Sequence, residues 1–181
     1  ITIINHGTIE NVAKNYAIID LDDMTSGAIV NFTNTGTITQ GSGAAAGING
    51  AYWGVVNGDS STDEINFDNS GTVQGSRRIF RLDGSTNFTL TNSGTIKQDD
   101  YAHNGITSGS PSGSNAANAY DYTTIQVGTS GSGATIINSG TISAFSLNNH
   151  AITIGDDADD AAHSNATIEN SGTISAGSGD Y

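Results

Sequence analysis

A pentapeptide of the form Asn-x-Gly-Thr-Ile recurs six times, and this repeat limits the possible folds more than any other feature of the sequence. The second residue is Ser, Thr or His, and the last is Val in one copy. Because the copies span nearly the whole of a 181-residue chain, they predict one repeating structural unit. The copies occupy residues 5–9, 34–38, 69–73, 92–96, 138–142 and 170–174.

The residues around each copy alternate between apolar and polar. The positions four and two residues before the Asn are apolar, and those between them are mostly polar, which is the period of a half-buried β-strand. After the Gly, the alternation resumes with the Thr outward and the Ile or Val inward. The apolar pairs are Ile1/Ile3, Val30/Phe32, Ile65/Phe67, Phe88/Leu90, Ala134/Ile136 and Ala166/Ile168.

A second strand signal follows five of the copies. Each of these segments ends in Asp, Asn or Gly, the residues that begin turns. One repeat is therefore predicted to contain a strand, a sharp corner, a short strand, a variable loop and a third strand. The segments are residues 17–22, 53–59, 78–84, 124–128 and 151–156.

The distance between successive motif glycines varies from 23 to 46 residues. The excess falls at one place in each repeat, after the motif, and the longest insertion is at about residues 99–122. A unit of 23 residues cannot enclose its own core, but stacked coils share one narrow interior. We therefore predict an all-β fold, a parallel β-helix of about six coils with variable loops, as a single unit over residues 1–181.

This fold also accounts for the composition. Only 35% of the residues are hydrophobic, and nearly half of the chain is Gly, Ser, Thr or Asn. Without the repeat, low hydrophobicity and excess acid would indicate disorder. A solenoid buries a few side chains per coil and pairs the strand backbone with the neighbouring coils, so it needs less apolar surface.

Charge and cysteine content exclude several functions. The net charge is −13 with five basic residues, which argues against nucleic acid and anionic membrane surfaces as partners. No apolar run approaches the ~20 residues that span a bilayer, so we expect no membrane insertion by this segment. The absence of cysteine excludes a disulfide scaffold, a cysteine zinc site and a thiol nucleophile.

The Asn and Gly of each motif are predicted to form the corner between two strands. A sharp bend requires a residue that tolerates a positive φ, and Asn and Gly do so at the lowest cost. Stacked Asn side chains can also form a hydrogen-bonded ladder between coils. The corner residues are Asn5, Asn34, Asn69, Asn92, Asn138 and Asn170, with Gly7, Gly36, Gly71, Gly94, Gly140 and Gly172.

With these motifs the chain resembles the passenger domains of bacterial autotransporters, in which N-[ST]-G-[TS]-I units recur along a right-handed parallel β-helix. The resemblance covers the whole chain. It implies an internal segment of a secreted passenger, located outside the cell at the bacterial surface, with signal peptide and membrane barrel elsewhere. It further implies a non-enzymatic stalk for adhesion, biofilm formation or self-association, whose partner is a surface glycan, a surface protein or a second copy.

Two alternatives stay open at this point. The first is an enzyme acting on polysaccharide, for which Arg77, Arg78 and Arg81 near Asp83 are the only cation cluster. Alternation places Arg81 outward as a surface charge, the four histidines lack metal-ligand spacing, and we predict no catalytic residue and no cofactor. The second alternative is a subunit of an extracellular filament.

Two further groups of residues are candidates for binding. Asp156, Asp157, Asp159 and Asp160 are oxygen donors of the kind that Ca²⁺ prefers. The segment lacks the EF-hand pattern, however, which favours a solvated acidic turn over a calcium site. Five aromatic residues at or beside the long loops are candidates for contact with carbohydrate or protein, or else they cover the base of their own loop: Tyr52, Trp53, Tyr101, Tyr120 and Tyr122.

Overall fold

The computed structural model describes residues 1–11, 17–21, 24, 27–40, 54–58, 64–75, 78–82, 87–98, 123–128, 133–144, 150–154 and 165–177. All regular structure in these ranges is β-strand. The strands are β1 (Thr2–Asn5), β2 (Thr8–Asn11), β3 (Ile19–Asp20), β4 (Ile29–Asn34), β5 (Thr37–Gln40), β6 (Val56–Asn57), β7 (Glu64–Asn69), β8 (Thr72–Gly75), β9 (Phe80–Leu82), β10 (Asn87–Asn92), β11 (Thr95–Gln98), β12 (Ile125–Val127), β13 (Gly133–Asn138), β14 (Thr141–Ser143), β15 (Ile152–Ile154), β16 (Ala166–Asn170) and β17 (Thr173–Ser175).

The strands form three parallel sheets. Sheet A has the order β1-β4-β7-β10-β13-β16, sheet B the order β2-β5-β8-β11-β14-β17, and sheet C the order β3-β6-β9-β12-β15. Every third strand in sequence therefore pairs with the next one in the same sheet. This topology confirms the predicted parallel β-helix of about six coils, with one strand of each sheet in a complete coil.

The motif copies are in register across all six coils. In sheet A the corner asparagines pair with one another, and in sheet B the motif threonines and isoleucines do the same. The six copies are thus equivalent positions in successive coils. The predicted alternation holds, because the motif Ile38, Val73, Ile96 and Ile142 are all buried.

The core is a single column of apolar side chains inside the three sheets. Its middle contains a run of aromatic rings: Phe32 stacks on Phe67 at a centroid distance of 4.6 Å, and Phe67 meets Phe80 edge-on at 4.9 Å. Such geometries add to the stabilisation that area burial provides. Ile1 and Ile168 belong to the inward columns but lie on the outermost coils, where they are 65% and 47% exposed.

Sheet C begins with a bend that the alternation does not predict. Both Val55 and Val56 are buried, as are Ile79 and Phe80, so two successive residues face the interior. The backbone explains this, because the N–H groups of Val55 and Val56 both donate to the Ile79 carbonyl, at 3.0 and 2.8 Å. Beyond the bend β9 alternates, and Arg81 lies half-exposed between buried Phe80 and Leu82, as predicted.

Candidate functional site

The corner asparagine side chains form a continuous hydrogen-bonded ladder along the axis. In each of the five steps, the Nδ2 of one Asn donates to the Oδ1 of the Asn in the next coil, at 2.7–2.8 Å. At most 1% of the surface of each of the four middle residues is exposed, namely Asn34, Asn69, Asn92 and Asn138. Amide side chains can be buried this deeply because they are paired. We call this row the amide ladder.

Each amide also fastens the backbone of the corner. The Nδ2 lies 3.2–3.3 Å from the carbonyl oxygen of the motif Gly in its own coil. It lies 3.1–3.4 Å from the carbonyl oxygen of the motif Thr in the next coil. In all five inter-coil steps the donor lies in the earlier coil and the acceptor in the later one, so the amide ladder has a single direction. Its role in these contacts is structural.

The corner glycines correct one prediction. Positive φ angles among the described residues occur only at Gly27, Gly54, Gly177 and Asn165, and none of these is a corner residue. The expectation that the corner requires positive φ was therefore wrong.

Glycine is needed at the corner because successive coils approach closely there. A Cβ added to Gly94 would lie 2.6 Å from the Ser70 carbonyl carbon and 2.8 Å from its oxygen. The same overlap with the preceding coil occurs at Gly36, Gly71, Gly140 and Gly172, whereas Gly7, in the first coil, has nothing within 4 Å.

The outer face of sheet B carries a column of threonine side chains. Pairing aligns Thr8, Thr37, Thr72, Thr95, Thr141 and Thr173, which confirms the predicted outward row. The residues after each corner Asn form a second, exposed row of hydroxyls beside it, in which His6 replaces Ser or Thr. The His6 Nδ1 lies 2.7 Å from the Thr35 Oγ1.

The outer face of sheet A has a shallow depression of about 150 Å³ over the middle coils. Two columns of outward side chains line it. Asn66 belongs to one of them, and its Nδ2 donates to the Asn31 Oδ1 at 3.1 Å and to the Glu64 Oε1 at 2.8 Å. Asp68 is the one charged lining residue. Its polar lining residues carry amides, hydroxyls and a carboxylate, namely Asn31, Thr33, Asn66, Asp68, Thr89 and Thr91, and Phe32 and Phe67 complete the lining.

Several candidate residues lie outside the described ranges. These are the aromatic candidates Tyr52, Trp53, Tyr101, Tyr120 and Tyr122, the acidic candidates Asp156, Asp157, Asp159 and Asp160, and Arg77 and Asp83 of the cation cluster. Within the described part of the chain, no group of three or more His, Cys, Asp or Glu side chains is placed to hold a metal ion. The described residues also contain no helix long and apolar enough to cross a membrane.

No protein-family model matches the chain, and neither does any curated protein or solved structure. The fold is therefore defined by the register of the strands alone. The resemblance to autotransporter passengers rests on the repeated motif and stays a prediction.

Proposed function

We propose that this chain is a non-enzymatic extracellular stalk, of the kind found in adhesin-type passengers of bacteria, which mediates surface adhesion or self-association. The observation that carries the proposal is the repetition of outward amide and hydroxyl columns in register over successive coils. A contact made by one coil is available again on the next, at the ~4.8 Å spacing of paired strands. Weak contacts that repeat on one rigid support gain strength by multivalency.

The chemistry of the outer faces supports a glycan, a polar protein surface or a second copy as the partner. Asn31, Asn66 and Thr89 on sheet A can donate to and accept from sugar hydroxyls or polar side chains, and Asp68 accepts only. The net charge of −13 opposes strongly anionic partners. The depression is shallow, which fits a contact spread along the axis.

A bead assay tests the proposal. Beads coated with the protein are expected to aggregate or to adhere to a surface of neutral glycan. Asp68→Arg combined with Thr91→Arg, at two exposed positions of sheet A, is expected to reduce both effects. Gln126→Arg on the outer face of sheet C is the matched control, because it adds the same side chain to another face.

Three results would contradict the proposal. If the beads neither aggregate nor bind any neutral glycan, acidic glycan or protein surface, the proposed adhesive function is contradicted. Turnover of a polysaccharide that is lost in an Arg81 or Asp83 variant would show that the protein is an enzyme and not a non-enzymatic stalk. Long filaments of the protein in negative-stain images, unchanged by the sheet A variant, would favour the filament subunit.

A further inference from the structure

Asn57 and Gly58 form one of three Asn-Gly dipeptides in the chain, with Asn49-Gly50 and Asn104-Gly105. Asn-Gly is the peptide pair most prone to spontaneous deamidation, because glycine has no side chain to hinder the approach of its nitrogen. The Gly nitrogen attacks the Asn Cγ, a new N–C bond closes a five-membered succinimide, and ammonia leaves. Water then opens the ring to give aspartate or isoaspartate.

The fold holds both reacting groups of Asn57-Gly58 in place. Asn57 is the last residue of β6 and is 1% exposed. Its Nδ2 donates to the Asp20 Oδ1 at 3.2 Å in the preceding coil. The Gly58 N–H donates to the Arg81 carbonyl oxygen at 2.8 Å in the following coil. Ring closure therefore requires the Gly58 nitrogen to leave its partner and β6 to separate from β9.

We propose that Asn57 is a modification site that the folded β-helix protects and that only the unfolded chain exposes. The reaction needs no enzyme and no co-reactant other than water. The nitrogen of Gly58 loses its proton as it bonds to Cγ, and the side-chain amide leaves as ammonia. Each time the chain unfolds, Asn57 can deamidate, and the loss of ammonia makes that change permanent.

The products do not fit sheet C as Asn57 does. In the strand register Asn57 lies opposite Arg81 on one side and Asp20 on the other. An aspartate at position 57 would therefore be attracted to Arg81 but repelled by Asp20. Isoaspartate adds a methylene to the backbone and displaces Gly58. That residue has little room to move, because a Cβ on Gly58 would already lie 3.2 Å from Leu82 and 3.3 Å from Ile65. Isoaspartate at position 57 is therefore incompatible with the register of β6.

Peptide mapping by mass spectrometry tests the proposal on the intact chain. The protein is incubated in mildly alkaline buffer with and without urea, and the mass gain from replacing NH₂ by OH is followed at Asn57. In urea, Asn49 and Asn104 give the reference rate for the same dipeptide. We expect deamidation at Asn57 to be at least about tenfold slower in the folded protein than in urea. Equal rates under the two conditions would overturn the proposal.

A destabilised variant distinguishes protection by the whole fold from protection by local backbone geometry. Gly94 lies at the corner between sheets A and B, 36 residues after Gly58 in sequence, and Gly94→Ala is expected to lower the unfolding midpoint through the coil overlap described above. Its native-buffer deamidation rate at Asn57 is expected to rise with the unfolded fraction. A lowered midpoint with an unchanged rate at Asn57 would overturn protection by the fold.

Refolding gives a second readout. After partial deamidation in urea, the protein is diluted and the folded fraction is separated by size exclusion. Isoaspartate at position 57 is expected to be depleted from the folded fraction and enriched in the rest. An equal isoaspartate content in both fractions would contradict the proposed incompatibility with β6.

Discussion

The substitution Asn92→Ala tests how strongly the amide ladder stabilises the fold. Asn92 is fully buried in the middle of the ladder. It accepts from the Asn69 Nδ2 at 2.8 Å and donates to the Asn138 Oδ1 at 2.7 Å. It also donates to the carbonyl oxygens of Gly94 and Thr141, at 3.3 and 3.2 Å. Alanine removes all four contacts and places no group in the ladder.

The magnitude follows from the groups that lose their partner. A buried polar group left unsatisfied costs about 1–3 kcal/mol. The Asn69 Nδ2 keeps two acceptors, the carbonyl oxygens of Gly71 and Thr95 at 3.2 and 3.4 Å, so its cost lies at the low end of this range. Asn138 loses the amide at its Oδ1. We expect a total of about 2–4 kcal/mol. For a chain of this length, that lowers the melting temperature by about 4–16 °C.

Thermal and urea unfolding followed by far-UV circular dichroism measure this difference. Asn66→Ala is the matched control: Asn66 also donates two side-chain hydrogen bonds, to Asn31 and Glu64, but it lies half-exposed on the outer face of sheet A. Water replaces those bonds, so we expect a change within about 0.5 kcal/mol. Equal destabilisation by the two substitutions would refute the argument that burial of the amide ladder determines its contribution.

Asn92→Asp adds a dependence on pH to the same experiment. Burial disfavours the carboxylate, so the pKa of Asp at position 92 is expected to lie above its unfolded value of about 3.9. Below that value the acid is protonated in both states and can donate to Asn138. The stability deficit relative to the unsubstituted protein should therefore be smallest below about pH 4 and grow as the pH rises. A deficit that is constant with pH would contradict this.

The remaining predictions concern the corner and the core. Gly94→Ala is expected to cost about 1–3 kcal/mol or more through overlap with the preceding coil, whereas Gly7→Ala, in open space, should leave the urea midpoint unchanged or slightly raised. Equal effects at the two glycines would exclude coil contact as the reason for glycine. Phe80→Ala removes a fully buried ring next to Phe67 and should cost about 3–5 kcal/mol in the same assay. Ile4→Ala, at a side chain 60% exposed, should change stability by less than about 0.5 kcal/mol, and a comparable loss at both sites would contradict the assigned core.

The stacking of the coils could be predicted from the sequence because the motif is repeated. One copy of Asn-Ser-Gly-Thr-Ile would indicate only a turn beside a strand. Six copies with variable spacing require equivalent positions in successive coils, and that fixes the pairing of Asn34 with Asn69 although 35 residues separate them. The apolar alternation then assigns Phe67 and Leu90 to the interior.

Two features could not be predicted because they depend on distances between coils. The reason for glycine at the corner is the closeness of the neighbouring backbone, which no single repeat reveals. The bend at Val55 and Val56 depends on two N–H groups sharing the Ile79 carbonyl, 23 or more residues away in the chain. The alternation does predict polar side chains on the outer face of sheet A, but the depression there, which residues of three coils line, is a third feature that it does not predict.

The close approach of the corner glycines also has a mechanical consequence. Along the edge between sheets A and B the coils are already in backbone contact, so this edge cannot shorten when the β-helix is bent. Bending that opens the edge must stretch the amide ladder, whose five steps lie along the axis. Sheet C, whose strands have only two or three residues, offers fewer hydrogen bonds per coil against either motion. The β-helix should therefore flex most easily at sheet C, with the asparagine corner as its stiff spine.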